Sequence, residues 1–227
     1  MVQCYDDFCR ELLNAGFSLG GGSDKGIYAV VPFDWTEQPA GTPVRWHTGD
    51  PETDPWEWRM RVLEERSDIA YAKVFFRSSG YITEEWYPYF LAVRRQGMSF
   101  EEAWEEGRVS ELSRRIYNAV QENGRVPMHE IKRLAGLRDE TSAHIEKAMT
   151  DLQMGMFLTI CGRQQKRNAY GELYGWSSTV FCTPEEFWHR EFDDLPDCDQ
   201  AIQKICARVS QLNPSAQERR IRKFIYG

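Results

Sequence analysis

Apolar residues recur at helical spacing at the start of the chain, where Phe8, Leu12, Leu13 and Ala15 form one stripe that Gly16 terminates. The stretch Gly20-Gly21-Gly22-Ser23-Asp24-Lys25 reads as a turn, because the G-x-x-x-x-G-K-[ST] spacing of a phosphate loop is not met. Ile27 to Phe33 is a β-rich run and is predicted as a strand. From Asp34 to Pro55 the pattern breaks up, yet Trp35 and Trp46 are costly to leave in water and predict a loop packed on its domain. Asp54 and Pro55 supply an N-cap and a first helical residue for a helix to about Arg66. Ala70 to Phe76 and Tyr81 to Thr83 read as a hairpin, with a turn over Arg77 to Gly80, and Glu84 to Gln96 reads as a helix set near Pro88. Ser99-Phe100-Glu101-Glu102 is a capping box for a short helix ending near Gly107.

The second half has a clearer order. Ser110 caps a helix with Leu112, Ile116, Ala119 and Val120 on one stripe, ended by Gly124. A second helix over Met128 to Ala135 turns Ile131 and Leu134 inward, and a third, Ser142 to about Met154, buries Ile145, Ala148, Met149 and Leu152. Met156 to Cys161 and Trp176 to Cys182 read as strands enclosing a polar loop, Gly162 to Gly175. Three short helices, a strand, a basic loop and a strand describe a winged helix-turn-helix. Thr183-Pro184-Glu185-Glu186 starts a further helix, and Asp199 to Leu212 and Pro214 to Ile225 predict two more. The fold class is α+β: a mixed α/β N-terminal half over 1–109, a winged helix over 110–190 and C-terminal helices over 191–227.

With 41% hydrophobic, 13% aromatic and 28% charged residues among 227, the chain can offset its conformational entropy, which excludes global disorder. Its longest nearly apolar run, Ile27 to Phe33, falls far short of the roughly 20 residues that cross a bilayer, and no basic n-region opens the chain, so a cytoplasmic protein without a membrane partner is expected. Cys4, Cys9, Cys161, Cys182, Cys198 and Cys206 are scattered over apolar segments and read as reduced thiols. Residues 1–110 hold 11 basic and 19 acidic side chains, net −8, against 17 and 16, net +1, over 111–227, which makes the second half the better partner for a polyanion.

The charge that bears on function is local. Arg163-Gln164-Gln165-Lys166-Arg167-Asn168 joins three cations to three amides with no acid, as a wing touching DNA would, although a solvated hairpin tip has the same composition. On the third helix the outward positions are read as His144, Glu146, Lys147, Thr150, Asp151 and Gln153; His144 and Lys147 are candidate DNA contacts, while Glu146 and Asp151 oppose phosphates. A winged helix can also bind proteins or dimerise, and both remain open. No C-x-x-C or H-E-x-x-H spacing suggests a metal, no cofactor is implied, and no G-x-S-x-G or Cys and His signature suggests a nucleophile. Glu101, Glu102, Glu105 and Glu106 read as a solvated acidic face, and Trp56 and Trp58 as core anchors or as rings for an extruded base.

Asp54-Pro55-Trp56-Glu57-Trp58-Arg59, then Ala70-Tyr71-Ala72-Lys73-Val74-Phe75-Phe76 with Gly80-Tyr81-Ile82, then Glu85-Trp86-Tyr87-Pro88-Tyr89-Phe90 and the winged helix together resemble the bacterial AlkZ-related proteins. These are similar to the winged-helix AlkZ-type DNA glycosylases, whose larger chains bind duplex DNA and excise alkylated or crosslinked purines without a metal. The resemblance implies a nucleic-acid-associated protein with duplex DNA as its partner; a glycosylase or other base-processing enzyme is the alternative, and a protein-binding winged helix in transcriptional regulation the second. The glycosylases carry a catalytic Q-x-Q or Q-x-D element, and neither Gln164-Gln165-Lys166 nor Gln38-Pro39-Ala40 meets it. The catalytic residues are therefore unknown, and whether the chain is an enzyme stays open.

Overall fold

The computed structural model describes residues 1–168 and 170–227. In chain order the elements are α1 (Tyr5–Ala15), β1 (Phe17–Leu19), α2 (Pro55–Glu65), β2 (Ile69–Phe75), β3 (Ser78–Thr83), α3 (Tyr87–Arg95), α4 (Phe100–Glu105) and α5 (Glu111–Asn123). Then follow β4 (Val126–Pro127), α6 (Met128–Leu134), α7 (Ser142–Met154), β5 (Thr159–Arg167), β6 (Leu173–Cys182), α8 (Pro184–Trp188), α9 (Cys198–Leu212) and α10 (Glu218–Tyr226). The class is α+β, with antiparallel pairing throughout the ladders described here. Among the described residues no helix is long and apolar enough to cross a membrane.

The chain divides into two compact units, one of Met1–Gln96 with Asp193–Gly227 and one of Gly97–Phe192. This division redistributes the charge. The first unit holds 16 basic and 20 acidic side chains, net −4, and the second 12 and 15, net −3, so the contrast between chain halves vanishes, mainly because the acidic stretch 97–110, with four acids and one base, falls in the second unit.

The first unit is built on β1, β3 and β2, with β3 between the others. The β2–β3 turn is tighter than the sequence suggests: Phe76 and Arg77 both take positive φ, at 51° and 57°, which matches the right-handed twist of the flanking strands. Phe8 of α1 packs its ring 5.0 Å from Trp58 of α2 and 5.3 Å from Tyr81 of β3. Leu13, expected on the apolar stripe, is exposed. Ile27 to Phe33 is not a strand. Ile27, Ala29, Val31 and Phe33 are buried, but the hydroxyl of Ser18 takes the Val30 N–H, the Leu19 N–H reaches the Tyr28 carbonyl, and Pro32 has no N–H to give.

α9 and α10 complete this unit. Phe224 of α10 is fully buried, 4.1 Å from the ring of Phe75 and stacked on it, with Phe17 and Phe90 at 5.3 and 5.6 Å. Arg94, near the end of α3, points into the protein. Its guanidinium donates to the carbonyls of Val74 and Phe224, each at 2.9 Å, and to that of Ile225. Burial pulls its pKa down to about 9, so the charge persists at neutral pH and meets the free carbonyls that end α10. Arg94→Met removes these donors, and urea unfolding is expected to register a loss of about 2 kcal/mol; an unchanged midpoint would show that water replaces the guanidinium at no cost.

In the second unit, Ser110, Thr141 and Thr183 each cap a helix through the side-chain oxygen, and Ser99 and Glu102 form the reciprocal capping box. The core gathers Ile116, Val120, Ile131, Ile145, Leu152 and Leu158 around the stacked rings of Phe100 and Tyr117, 3.6 Å apart. β6 pairs with β5 on one side and with β4 on the other, through Val126 opposite Phe181 and Pro127 opposite Val180.

Candidate nucleic-acid interface

The segment expected as a polar loop, Gly162 to Gly175, is mostly strand. β5 continues through Arg167 and β6 begins at Leu173, so Arg163, Gln164, Gln165, Lys166 and Arg167 lie on one arm of a hairpin and Asn168 at its turn. A local network holds the turn: the Asn168 carboxamide oxygen accepts from the Tyr170 and Glu172 N–H groups at 2.9 and 3.0 Å, and its amide donates to Glu172 at 2.9 Å. Arg167 donates to the Gly171 carbonyl at 2.9 Å. Lys166 forms no ion pair among the described residues, and Arg163, Gln164 and Arg167 are exposed.

The hairpin is irregular at an informative place. Gln164 faces Ser178 and Lys166 faces Tyr174, so the single residue Gln165 opposes three on β6, Gly175, Trp176 and Ser177. Gly175 takes φ 68°, and the Gln165 side chain donates to its carbonyl at 2.7 Å, closing the bulge. Bulges re-aim side chains. Here the result is Trp176 with 95% of its surface exposed, alongside exposed Tyr170, Leu173 and Tyr174. Such a group of rings is costly in water and is not needed by the core.

A groove of about 500 Å³ lies beside the basic arm, lined by Lys166, Arg167 and Tyr174 of the hairpin and by Arg125, His129 and Arg133 from the β4–α6 region. Arg133 is paired with Glu130 and Arg125 lies 3.4 Å from Glu186. His129 Nδ1 is buried and has no hydrogen-bond partner among the described residues.

Helix α7, the third helix of the expected winged helix, contributes less than the sequence suggests. Thr150 and Gln153 do not face outward. They are buried, and their side chains donate back to the Glu146 and Met149 carbonyls at 2.8 Å. His144 and Lys147 are exposed but engaged, His144 with Glu140 at 3.3 Å and Lys147 with Asp151 at 2.8 Å, and neither lines the groove. A phosphate would have to displace a carboxylate from each. The sequence reading missed Arg125, His129, Arg133, Tyr170, Tyr174 and Trp176. The signal for the rings was present as three aromatics within Tyr170 to Trp176, directly after the basic run.

The first unit disposes its tryptophans differently from expectation. Trp58 is fully buried, as a core anchor is, but Trp56 is 44% exposed and Trp35, expected to pack, is 70% exposed. Glu101, Glu102, Glu105 and Glu106 are exposed in the second unit, with Glu101 paired to Arg114 at 2.7 Å.

A family model described as AlkZ related matches residues 2–226 of the chain. No curated protein and no solved structure matches the chain.

Proposed function

Because the chain belongs to the AlkZ-related family, we propose that its second unit is a winged helix that binds duplex DNA through the β5–β6 hairpin. The order α5, β4, α6, α7, β5, β6, with β4 added to the hairpin edge, supports the winged-helix reading. The bulged hairpin carries the proposal: Arg163, Lys166 and Arg167 run along one arm, and Trp176 projects from the other. The cations meet phosphates, and the ring lies against bases or sugars once the backbone is engaged. A unit of net −3 cannot attract DNA by its overall charge, so the hairpin and its groove must do so locally. Since the cations of α7 are paired with carboxylates, α7 makes few phosphate contacts, and the binding has little sequence preference. The six free thiols fit the reducing cytoplasm, where such a protein would meet DNA.

The direct test is titration of labelled duplex with the full chain at two salt concentrations. Binding that weakens steeply with salt is expected; no binding at low salt would reject the reading in favour of a protein partner. Trp176→Ala should weaken binding by roughly ten-fold, as loss of a stacked or wedged ring does, and leave the salt dependence and the unfolding midpoint unchanged. Equal affinity in that variant would remove the ring from the interface.

A further inference from the structure

The first unit contains a second cavity, of about 440 Å³, within the roughly 300–1,000 Å³ typical of small-molecule sites. Three local features build it. The glycine stretch forms one side: a Cβ on Gly21 would lie 2.6 Å from the Trp46 ring, so a residue with a side chain there could not let the loop close on the indole. Trp46 is anchored by its Nε1, which donates to the Phe33 carbonyl at 2.8 Å. The start of α2 forms the other side. Asp54, wholly buried, accepts from the N–H groups of His47, Gly49 and Trp56 at 3.0, 2.9 and 2.8 Å, and so fixes the His47 turn against Trp56.

The cavity presents rings and cations together. Among the described residues Trp35 has neither a ring partner nor a hydrogen bond. Trp56 is covered by the Arg59 guanidinium, 3.3 Å from its ring centroid, and Arg59 Nε donates to the Trp56 carbonyl. The plane of the guanidinium is thereby held, while its terminal N–H groups find no acceptor among the described residues. Lys25 donates to the Ser78 hydroxyl at 2.6 Å. Neither Lys25 nor Arg59 pairs with a carboxylate among the described residues, in a unit whose acids outnumber its bases. Burial and the nearby Arg220 guanidinium both disfavour the Lys25 ammonium, and a bound anion would offset both. The one acid of the lining, Asp34, has one oxygen engaged by the Thr36 N–H and hydroxyl, and the other remains available to accept.

These features select among ligands. A quaternary ammonium would find aromatic walls, but Arg59 already covers Trp56 and Lys25 repels a second cation. A purely apolar ligand leaves the two cations unanswered. A flat heterocycle carrying an anion satisfies every group: its ring stacks on Trp35 and Trp46, an amino edge donates to Asp34, and its anion meets Lys25 and Arg59. We propose that this cavity binds a nucleoside monophosphate, either free or as one unit of a single strand. The proposal is independent of the hairpin.

Calorimetric titration of the full chain with the 5′-monophosphates of adenosine, guanosine, cytidine and uridine tests it. At least one is expected to bind with a submillimolar Kd. Trp35→Ala, at an exposed side chain whose loss the fold tolerates, should weaken that binding roughly ten-fold. In the double variant Lys25→Gln with Arg59→Gln, the monophosphate should bind no better than its parent nucleoside. Choline should not compete. The variant lacking Arg163, Lys166 and Arg167 should retain full mononucleotide affinity, and in that background displacement by a deoxyadenosine oligomer identifies a strand as the source, whereas no displacement identifies the free nucleotide. Binding by none of the four at millimolar concentration overturns the proposal. So does binding unaffected by the cavity variants, or binding lost with the hairpin cations.

Discussion

Replacing Arg163, Lys166 and Arg167 together by alanine is expected to lower duplex affinity by roughly two orders of magnitude near 0.1 M salt. Each phosphate contact releases counterions and contributes about 0.9 to the slope of log K against log salt, so three lost contacts flatten the slope by about 2.7. All three side chains stand on one arm of the hairpin, Arg163 opposite Thr179, Lys166 opposite Tyr174 and Arg167 opposite Leu173. None of them is part of the core of the unit, so the unfolding midpoint should barely move. The combination separates this effect from that of Trp176, whose removal changes affinity and not slope. A triple variant that binds as the parent does, with the same slope, would place the DNA contact elsewhere. The groove residue Arg125 and the outward cations of α7 would then be the next to change.

The largest stability effect is expected from Phe224→Ala, about 3–5 kcal/mol. The ring is fully buried three residues from the chain's end and touches Phe17 of β1, Phe75 of β2 and Phe90 of α3. Deleting it opens a cavity among three elements that rigid aromatic neighbours cannot fill. It also frees α10, whose last carbonyls hold the Arg94 guanidinium. Urea unfolding followed by circular dichroism should show the loss as a lower midpoint. A loss below about 1 kcal/mol would mean that α10 is a loosely attached extension. By the same reasoning, a fragment beginning at Ser110 would leave the hydrophobic faces of α9 and α10 without α3, which makes the full chain the proper material for DNA binding.

Helix starts marked by a cap were legible in the sequence, whereas α3 and α10 begin three and four residues after the expected Glu84 and Pro214. Asp54 with Pro55, Ser99 with Glu102, Ser110 and Thr183 with Pro184 all cap the helices they were expected to cap. A cap joins atoms within three residues of each other, so its partners are written side by side in the chain. The β2–β3 hairpin and the apolar stripes of α5 and α7 were legible for the same reason, as was the α+β class. The family resemblance could be read from short aromatic motifs, and the family match extends over nearly the whole chain.

Tertiary structure decided what depends on partners distant in sequence. Ile27 to Phe33 has the residues of a strand, but Ser18 and Leu19 supply its hydrogen bonds in another form. Thr150 and Gln153 have polar side chains that suggest a wet face, yet α7 buries them by returning their donors to its own carbonyls. Arg94 belongs to the interior because the end of α10, about 130 residues away in sequence, brings carbonyls to it. The basic run at Arg163 was visible from the start, whereas the exposure of Trp176 was not, since it follows from a register shift between β5 and β6. Trp35, Trp46 and Trp56 gave no sign of sharing a cavity with Lys25 and Arg59. Composition and spacing determine which local contacts a chain can make; which face meets water is set by what the rest of the chain places against it.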